Sequence, residues 1–255
     1  MRRLRVIPVL LLQKGGLVKS IRFKDHKYLG DPINAVKIFN EKEVDEIAIL
    51  DISATAEKRP PDIRQIKEIA GEAFMPLSYG GGITKLDEIK ALIAAGVEKI
   101  VLNTSAFTDP KLIGDGARYV GSQSIVVSID VKKTFFGKYK CFVRNGSKNT
   151  GVDPVDFAKQ MEQAGAGELI LNSIERDGTF EGFDTELIRM VSSAVNIPIV
   201  ALGGAGTVGD LAQAAKHGAS AVAAGSMFVF QRPHRAVLIS YPSQTELREK
   251  LYTLL

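Results

Sequence analysis

The feature that most constrains this chain is a regular alternation of short apolar segments with amphipathic ones along its 255 residues. Runs of strand length, rich in branched side chains, are each followed by a segment with helical apolar spacing. This pattern predicts eight strands, at residues 5–16, 46–52, 75–79, 99–102, 124–130, 168–171, 197–202 and 219–224. It also predicts eight helices, at residues 32–40, 61–73, 86–95, 110–119, 154–164, 184–194, 208–216 and 244–254.

Eight strand–helix units in a chain of this length predict a closed (β/α)8 TIM barrel. The competing fold is a doubly wound sheet, but no G-x-G-x-x-G follows the first strand, as a dinucleotide-binding sheet would require. No Pro/Ser-rich linker or low-complexity tract divides the chain. We therefore expect residues 1–255 to form a single barrel domain, with its chemistry at the C-terminal ends of the strands.

Charge and hydropathy limit the partners that this chain can have. The formal net charge of +4 suits anionic small molecules or an acidic partner. No basic block is interleaved with aromatic residues, so we expect no nucleic-acid binding. The basic start runs directly into a strand that contains Pro8, and the longest apolar runs have only strand length. We therefore expect a cytoplasmic protein with no membrane partner.

Cysteine and histidine offer no obvious metal site. Cys141 is the only cysteine and lies in a strand-like apolar segment, where a packed thiol is the expected role. His26, His217 and His234 have no partner at metal-ligand spacing, which favours solvated or capping roles. We expect neither a metal nor another cofactor.

An internal repeat places glycine-rich turns at matching strand ends. YGGGI at residues 79–83 is echoed by LGGAG at 202–206, and LNTSA at 102–106 is echoed by AGSM at 224–227. Glycine lets backbone N–H groups approach an anion, and a hydroxyl residue at the start of a short helix favours phosphate. A lone Gly-Gly pair is typical of a tight turn. Two matched sets predict a twofold half-barrel repeat and a ligand with phosphate at both ends.

At these residues the chain resembles the cyclase subunit of imidazole glycerol phosphate synthase over essentially its whole length. The segments that carry the resemblance are IPVL, GGLVK, FNEKEVDEIAILDI, PLSYGGG, VLNTSAF, GSQSIVVSID, NTGVD, GAGELIL, ERDGT and IVALGGAG. The resemblance implies a lyase-type subunit that forms a heterodimer with a glutaminase at the barrel foot. Such a subunit uses the released ammonia to split and cyclise a bis-phosphorylated ribulosyl substrate in histidine biosynthesis.

The resemblance also implies residue roles. Asp130 matches one of two catalytic aspartates that act as general acid and base. The residues that match phosphate and substrate sites, including a mobile-loop lysine, are Lys19, Gly82, Asn103, Thr104, Asp177, Gly178, Gly203, Gly204, Gly225 and Ser226. Those that match the charged ring through which ammonia enters are Arg5, Glu46, Lys99 and Glu168. The charges alone also allow a plainer interpretation, a structural salt-bridge layer that plugs the bore.

The chain departs from the family pattern at the end of the first strand. The family places its other catalytic aspartate there, after Cys-Leu and before a charged loop, whereas this chain has Val-Leu-Leu ending at Leu11 and a Lys-Gly-Gly loop at residues 14–16. Leucine exchanges no proton, and a general acid or base contributes about 10² to 10⁴ in rate. Asp51 ends the neighbouring strand, where it either fixes a loop or reaches the mouth.

Three functional hypotheses remain open at this stage. In the first, the barrel docks a glutaminase and conducts ammonia to a separate sugar amidotransferase, as in a paralogous branch of the family associated with surface-polysaccharide (lipopolysaccharide) synthesis. In the second, it is a working cyclase in which Asp51 or substrate phosphate assists Asp130. In the third, it is a phosphosugar isomerase of the related two-cradle barrels, against which Leu11 also counts.

Overall fold

The computed structural model describes residues 4–255, so the basic start at residues 1–3 lies outside the described part. The elements in chain order are β1 (Arg5–Gln13), β2 (Gly16–Ile21), β3 (Lys24–Gly30), α1 (Pro32–Glu41), β4 (Ile47–Asp51), α2 (Ile63–Glu72), β5 (Leu77–Gly80), α3 (Leu86–Ala94), β6 (Lys99–Leu102), α4 (Thr104–Thr108), α5 (Lys111–Val120), β7 (Ile125–Lys133), β8 (Tyr139–Val143), β9 (Lys148–Asn149), α6 (Pro154–Ala164), β10 (Glu168–Ser173), α7 (Thr185–Ser192), β11 (Ile199–Leu202), α8 (Val208–Lys216), β12 (Ala221–Ala224), α9 (Ser226–Val229), β13 (Phe230–Gln231), β14 (Ala236–Val237) and α10 (Gln244–Lys250). Short 3-10 helices span Ser122–Ser124 and Tyr252–Leu254.

Eight of these strands close into a parallel barrel. The order is β1, β4, β5, β6, β7, β10, β11 and β12, and β12 pairs with β1 to complete the circle. The predicted (β/α)8 barrel is therefore confirmed, with a helix between successive barrel strands. Because all eight strands run the same way, their C-terminal ends meet at one opening, which we call the mouth, and their N-terminal ends meet at the foot.

Local sequence explains where several helices begin. Asp31 caps α1 by accepting a hydrogen bond from the Asn34 amide at 2.9 Å, and Pro32 occupies the first helical turn, where its missing N–H costs nothing. Asp153 and Pro154 repeat this arrangement at α6. The strand β6 and the helices α6 and α8 have the bounds that the sequence predicts.

Two hairpins were not predicted. β1 turns back into β2 through Lys14 and Gly15, which both have positive φ, as a two-residue hairpin turn of this kind requires. β2 then pairs with β3, and in the second half β7 pairs antiparallel with β8. The first strand of each half-barrel is thus extended beyond the mouth. Lys19, expected in a mobile loop, lies instead within β2.

The barrel interior is a continuous apolar bore. Ile7, Val9 and Leu11 occupy alternate positions of β1, and all three face this interior. The buried side chains of the bore are Ile7, Val9, Ala48, Val101, Val126, Ile170, Val200, Leu202, Ala221 and Ala223, with Leu11 and Leu50 packed against them. A larger apolar layer, which includes Phe39, Tyr79 and Phe228, fills the space between strands and helices.

The helices of the described chain are short. The largest, α6, has 11 residues, whereas a membrane span needs about 20 apolar ones. No helix within residues 4–255 is long and apolar enough to cross a membrane.

Candidate functional site at the mouth of the barrel

The C-terminal ends of the strands surround a cavity of about 180 Å³. Two turns roof it: Phe23 comes from the β2–β3 turn and Asn145 from the β8–β9 turn. Asn145 donates a side-chain hydrogen bond to the carbonyl oxygen of Ile52, so the second hairpin reaches across to the first half-barrel. The unpredicted hairpins therefore shape the entrance to the site.

Asp130 lies at the wall of this cavity, where β7 begins to pair with β8. Its two carboxylate oxygens accept hydrogen bonds from the side-chain amides of Asn172 and Asn103, each at 3.2 Å. Burial raises the pKa of Asp130 to about 7, with the negative charge of Asp177 acting in the same direction and the two amides acting against it. A carboxyl group with this pKa can both take and give a proton near neutral pH.

Leu11 occupies the corresponding place in the first half-barrel. It lines the same cavity and packs with Leu50 against the bore, where it offers only a hydrocarbon surface. Of the residues that line the cavity, the acidic ones are Asp51, Asp130 and Asp177. His26 also lines the cavity, so a second proton-transfer group would have to come from Asp51, Asp177 or His26.

Asp51 is committed to its own loop. One carboxylate oxygen accepts hydrogen bonds from the amides of Ser53 and Ala54, each at 3.0 Å, and from the Ser53 hydroxyl at 2.9 Å. The other oxygen binds Arg59 at 2.7 Å. Of the two roles considered for Asp51, the structure thus places it in the loop-fixing one, although it also borders the cavity.

Asp177 is also paired, through the first hairpin. Lys19 Nζ lies 2.8 Å from one of its oxygens, and the Ser20 hydroxyl donates to the other at 3.1 Å. Both Lys19 and Asp177 are buried, so the pair fixes β2 against the loop after β10. Gly178, which follows, accepts a hydrogen bond from Arg235 at 3.0 Å and does not line the cavity.

The first glycine-rich turn opens into the cavity, together with Asn103 and Thr104. Gly82 has a φ of +71°, and a Cβ there would lie 2.5 Å from the Arg59 carbonyl oxygen, so only glycine fits. Thr104 begins α4, as predicted for the hydroxyl residue, and its Oγ1 accepts a hydrogen bond from the Arg144 amide at 3.2 Å. We call this set the first cradle.

The second cradle consists of Gly203, Gly204, Gly225 and Ser226 and is largely covered. Of the four, only Gly225 lines the cavity, and the Lys19 side chain lies so close that a Cβ on Gly225 would be 2.8 Å from its Cε. Ser226 begins α9, as predicted, and its buried hydroxyl has no hydrogen-bond partner within residues 4–255. A buried hydroxyl without a partner is unfavourable, so this position suits a ligand that accepts or donates a hydrogen bond.

The four charged residues predicted for the foot lie together there. Glu46 accepts hydrogen bonds from Arg5 at 2.5 Å, from Lys99 at 2.9 Å and from the Ser78 hydroxyl at 2.7 Å. Glu168 binds Lys99 at 2.8 Å and also pairs with Arg5. The charges alternate around a closed ring, in which each cation touches both carboxylates, and this ring closes the N-terminal end of the bore.

The remaining candidate residues lie as follows. Cys141 is buried in β8, and burial raises the pKa of its thiol to about 12, so the reactive thiolate does not form at neutral pH. The His217 ring contacts the Gln213 carbonyl oxygen at 2.8 Å near the end of α8, a capping role. His26 is exposed on β3 and borders the cavity, which its sequence context did not indicate. Across residues 4–255, no three His, Cys, Asp or Glu side chains are grouped for metal binding.

Comparison with known families matches residues 5–233 to the histidine biosynthesis protein family. The chain belongs to this family. The matched region contains all eight barrel strands and both hairpins of the chain.

Relatives within the family carry the name HisF. A Pseudomonas aeruginosa protein, provisionally named imidazole glycerol phosphate synthase subunit hisF2, is 50% identical over 97% of this chain and 99% of its own length. A Vibrio vulnificus protein, provisionally named as subunit hisF3, is 47% identical over 98% and 97%. Subunit HisF of Alkaliphilus metalliredigens is 43% identical over 88% and 89%. The predicted resemblance to the HisF subunit is confirmed.

Proposed function

We propose that this HisF-like chain is the barrel subunit of a glutamine amidotransferase complex and has lost its own cyclase reaction. In this proposal a HisH-type glutaminase docks at the foot as a heterodimer partner, and ammonia crosses the bore to the mouth. The observation that carries the proposal is Leu11, an apolar residue directly beside the cavity at the place that corresponds to Asp130. One poised acid–base group remains where the cyclase reaction uses two.

The bore and its foot support the transport part of the proposal. The side chains that form the bore are aliphatic, three of them alanines, and such a surface suits a small neutral molecule better than an ion. The ring of Arg5, Glu46, Lys99 and Glu168 closes the entrance with balanced charge. Transport requires this ring to open, and a docked glutaminase that contacts Arg5, the most exposed of the four, would supply the means.

The names of the relatives support the proposal that this chain is an additional HisF-like subunit. Two of them carry numbered HisF names, which distinguish additional copies from the HisF of histidine biosynthesis. We propose that the consumer of the ammonia is a separate sugar amidotransferase of surface-polysaccharide synthesis. None of these reported relatives is named as an isomerase, which weighs against the phosphosugar isomerase hypothesis.

The test is cyclase turnover by the purified chain with ammonium salt as nitrogen source, which removes any dependence on the glutaminase. We expect no turnover, whereas a mixture with the HisH-type subunit should form a heterodimer that hydrolyses glutamine. Turnover equal to that of an aspartate-bearing HisF would contradict the loss of the cyclase reaction. Absence of a heterodimer would contradict the transport role.

A working cyclase is the second candidate, and one observation favours it. His26 borders the same cavity as Asp130, and an imidazole side chain can serve as a general acid or base. If His26 replaces the missing aspartate, the chain should rescue a histidine auxotroph and a His26→Ala variant should not. Failure of the parent chain to rescue, with the protein expressed and folded, would exclude this candidate.

A further inference from the structure

The turn between β7 and β8 carries an unusual pair of exposed aromatic side chains. Phe135 and Phe136 lie in this turn and are 98% and 86% exposed. Their rings pack edge to face, with centroids 5.6 Å apart. Single exposed apolar residues are common on protein surfaces, but two adjacent, almost fully exposed phenylalanines are typical of a binding site.

Lysines surround this pair. They are Lys132, Lys133, Lys138 and Lys140, and no aspartate or glutamate lies between residues 131 and 142. Within residues 4–255, Lys133 is the one that forms an ion pair, with Glu186 at 3.3 Å. The other three lysines form no ion pair with the described part of the chain, so this turn favours a negatively charged surface.

The turn is held in a defined shape. The Thr134 amide donates to the Lys138 carbonyl at 2.8 Å, and the Gly137 amide donates to the Thr134 carbonyl at 2.9 Å. At its base the Tyr139 hydroxyl donates to the Asp184 carboxylate at 2.9 Å. A turn whose backbone is already ordered loses less entropy on binding, which raises the affinity that its side chains provide.

The same hairpin is continuous with the cavity. Asp130 on β7 lines the cavity, and Asn145, just after β8, lies over it. Phe135 follows Asp130 by five residues, a distance of about 16 Å along an extended strand. The aromatic pair therefore lies at the tip of a hairpin whose base borders the mouth, through which ammonia would leave the barrel.

We propose that Phe135, Phe136 and the surrounding lysines are the docking site for the enzyme that consumes the ammonia, and that this partner offers an apolar pocket with an acidic rim. The inference rests on the function proposed above. We propose an acidic protein and not an anionic membrane, because the proposed function requires an enzyme at the mouth that accepts the ammonia.

The test uses the chain in complex with its HisH-type glutaminase and a purified sugar amidotransferase. The variant is the double substitution Phe135→Ser/Phe136→Ser, and the matched control is Tyr119→Ser, an exposed ring on α5 away from the mouth. We expect the double variant to bind the amidotransferase about tenfold more weakly or worse and to lose glutamine-dependent transfer by a similar factor. Transfer from ammonium salt and glutamine hydrolysis should not change.

A charge variant separates the two components of the site. Lys132→Glu/Lys138→Glu should also weaken binding and should reduce its dependence on salt concentration, because both lysines are exposed on the hairpin that carries the aromatic pair. A charge variant that binds as tightly as the parent, with the same salt dependence, would overturn the acidic partner.

Three further outcomes are decisive. Equal binding by the parent and the phenylalanine variant, or no binding by either, would overturn the docking site. Binding to phosphatidylglycerol vesicles that requires the phenylalanines, with unchanged binding to the amidotransferase, would assign the pair to a membrane and overturn it as well. Phenylalanine-dependent binding of the amidotransferase without any transfer of glutamine nitrogen would support the docking site and refute the transport function.

Discussion

The two half-barrels, β1–β6 and β7–β12, have the same backbone plan and different chemistry. Each begins with a strand that continues into a hairpin. The antiparallel pairing of the hairpin begins at Leu11 with Val18 in the first half and at Asp130 with Phe142 in the second. The backbone repeat therefore supplies two equivalent positions at the cavity. Only the second of them holds a group that can exchange a proton.

The carboxylates at the mouth show the same asymmetry. Asp51 in the first half is held by Arg59 and three further donors, so it serves the loop. Asp130 in the second half has two neutral amide donors and no cation at hydrogen-bonding distance within residues 4–255, so burial raises its pKa. The groups that bind a buried carboxylate, more than its position in the strand, therefore decide whether it fixes a loop or can exchange a proton.

The largest effect should come from giving the first half-barrel a carboxyl group at the position equivalent to Asp130. Leu11→Asp restores a carboxyl group opposite Asp130, and we expect cyclase turnover with ammonium salt to rise about 10²-fold or more above the parent. Leu11→Asn is the matched control and should give no gain. Adding Asp130→Asn to Leu11→Asp should remove the gain, because both groups are then needed. Unchanged turnover in Leu11→Asp would mean that more than proton transfer was lost.

Removing the structural carboxylate should reduce stability. Asp51→Ala leaves Arg59 and several amides without their acceptor, and we expect the free energy of unfolding to fall by about 2–4 kcal/mol. Urea unfolding measures this. Asp31→Ala removes only an exposed helix cap and should cost about 1 kcal/mol. Equal losses in the two variants would show that the Asp51 contacts contribute no more than a surface cap.

Removing the carboxylate of Asp130 should instead raise the free energy of unfolding. With the pKa of Asp130 at about 7, the folded protein holds a proton between about pH 4 and pH 7 that the unfolded chain has released. The unfolding free energy therefore falls as pH rises through this window. Asp130→Asn should be about 1–3 kcal/mol more stable than the parent at pH 8 and no more stable at pH 4.

The structure provides a place for the new amide. Within residues 4–255, Asn172 Oδ1 is buried without a hydrogen-bond partner, while Asn172 Nδ2 faces position 130. Rotation of the Asn172 side-chain amide by 180° lets this oxygen accept a hydrogen bond from an asparagine at position 130. Thermal unfolding of both proteins across the pH range is the measurement. A stability difference that does not depend on pH would refute the raised pKa.

The smallest effects should distinguish the two cradles. Thr104→Val loses a hydrogen bond from Arg144 and should cost about 1 kcal/mol, whereas Ser226→Ala removes an unpartnered hydroxyl and should change stability by less than about 1 kcal/mol. Both should weaken the stabilisation that inorganic phosphate gives in a thermal unfolding assay. If phosphate stabilises Ser226→Ala as well as the parent, the second cradle does not bind it.

The strands and helices of the barrel were predicted well because the sequence signals that specify them are local. Residues 99–102 form a strand and residues 208–216 a helix as predicted, since apolar spacing and caps act over a few residues. β3 was missed because its side chains are mostly exposed and polar, so no alternation marks it. The family resemblance placed Lys19 in a mobile loop, whereas it lies in β2 and pairs with Asp177, 158 residues away in the sequence.

The positions of the candidate site residues were predicted better than their burial and their contacts. The glycine turns, Thr104 and Ser226 lie where the repeat placed them, at strand ends and helix starts. The pKa of Asp130 and the covering of Gly225 by Lys19 depend on burial and on contacts between distant segments. Neither has a signature in the neighbouring residues.

The hydrocarbon walls of the bore have a consequence for any cargo that crosses it. An ammonium ion would exchange its water shell for aliphatic side chains such as Ile7, Val126 and Val200, with no counter-ion beside them. Neutral ammonia carries no charge, so it does not have this desolvation cost. The barrel would thus act as a filter for protonation state: its throughput would follow the fraction of free base, and each molecule would emerge as a nucleophile, with its lone pair unblocked.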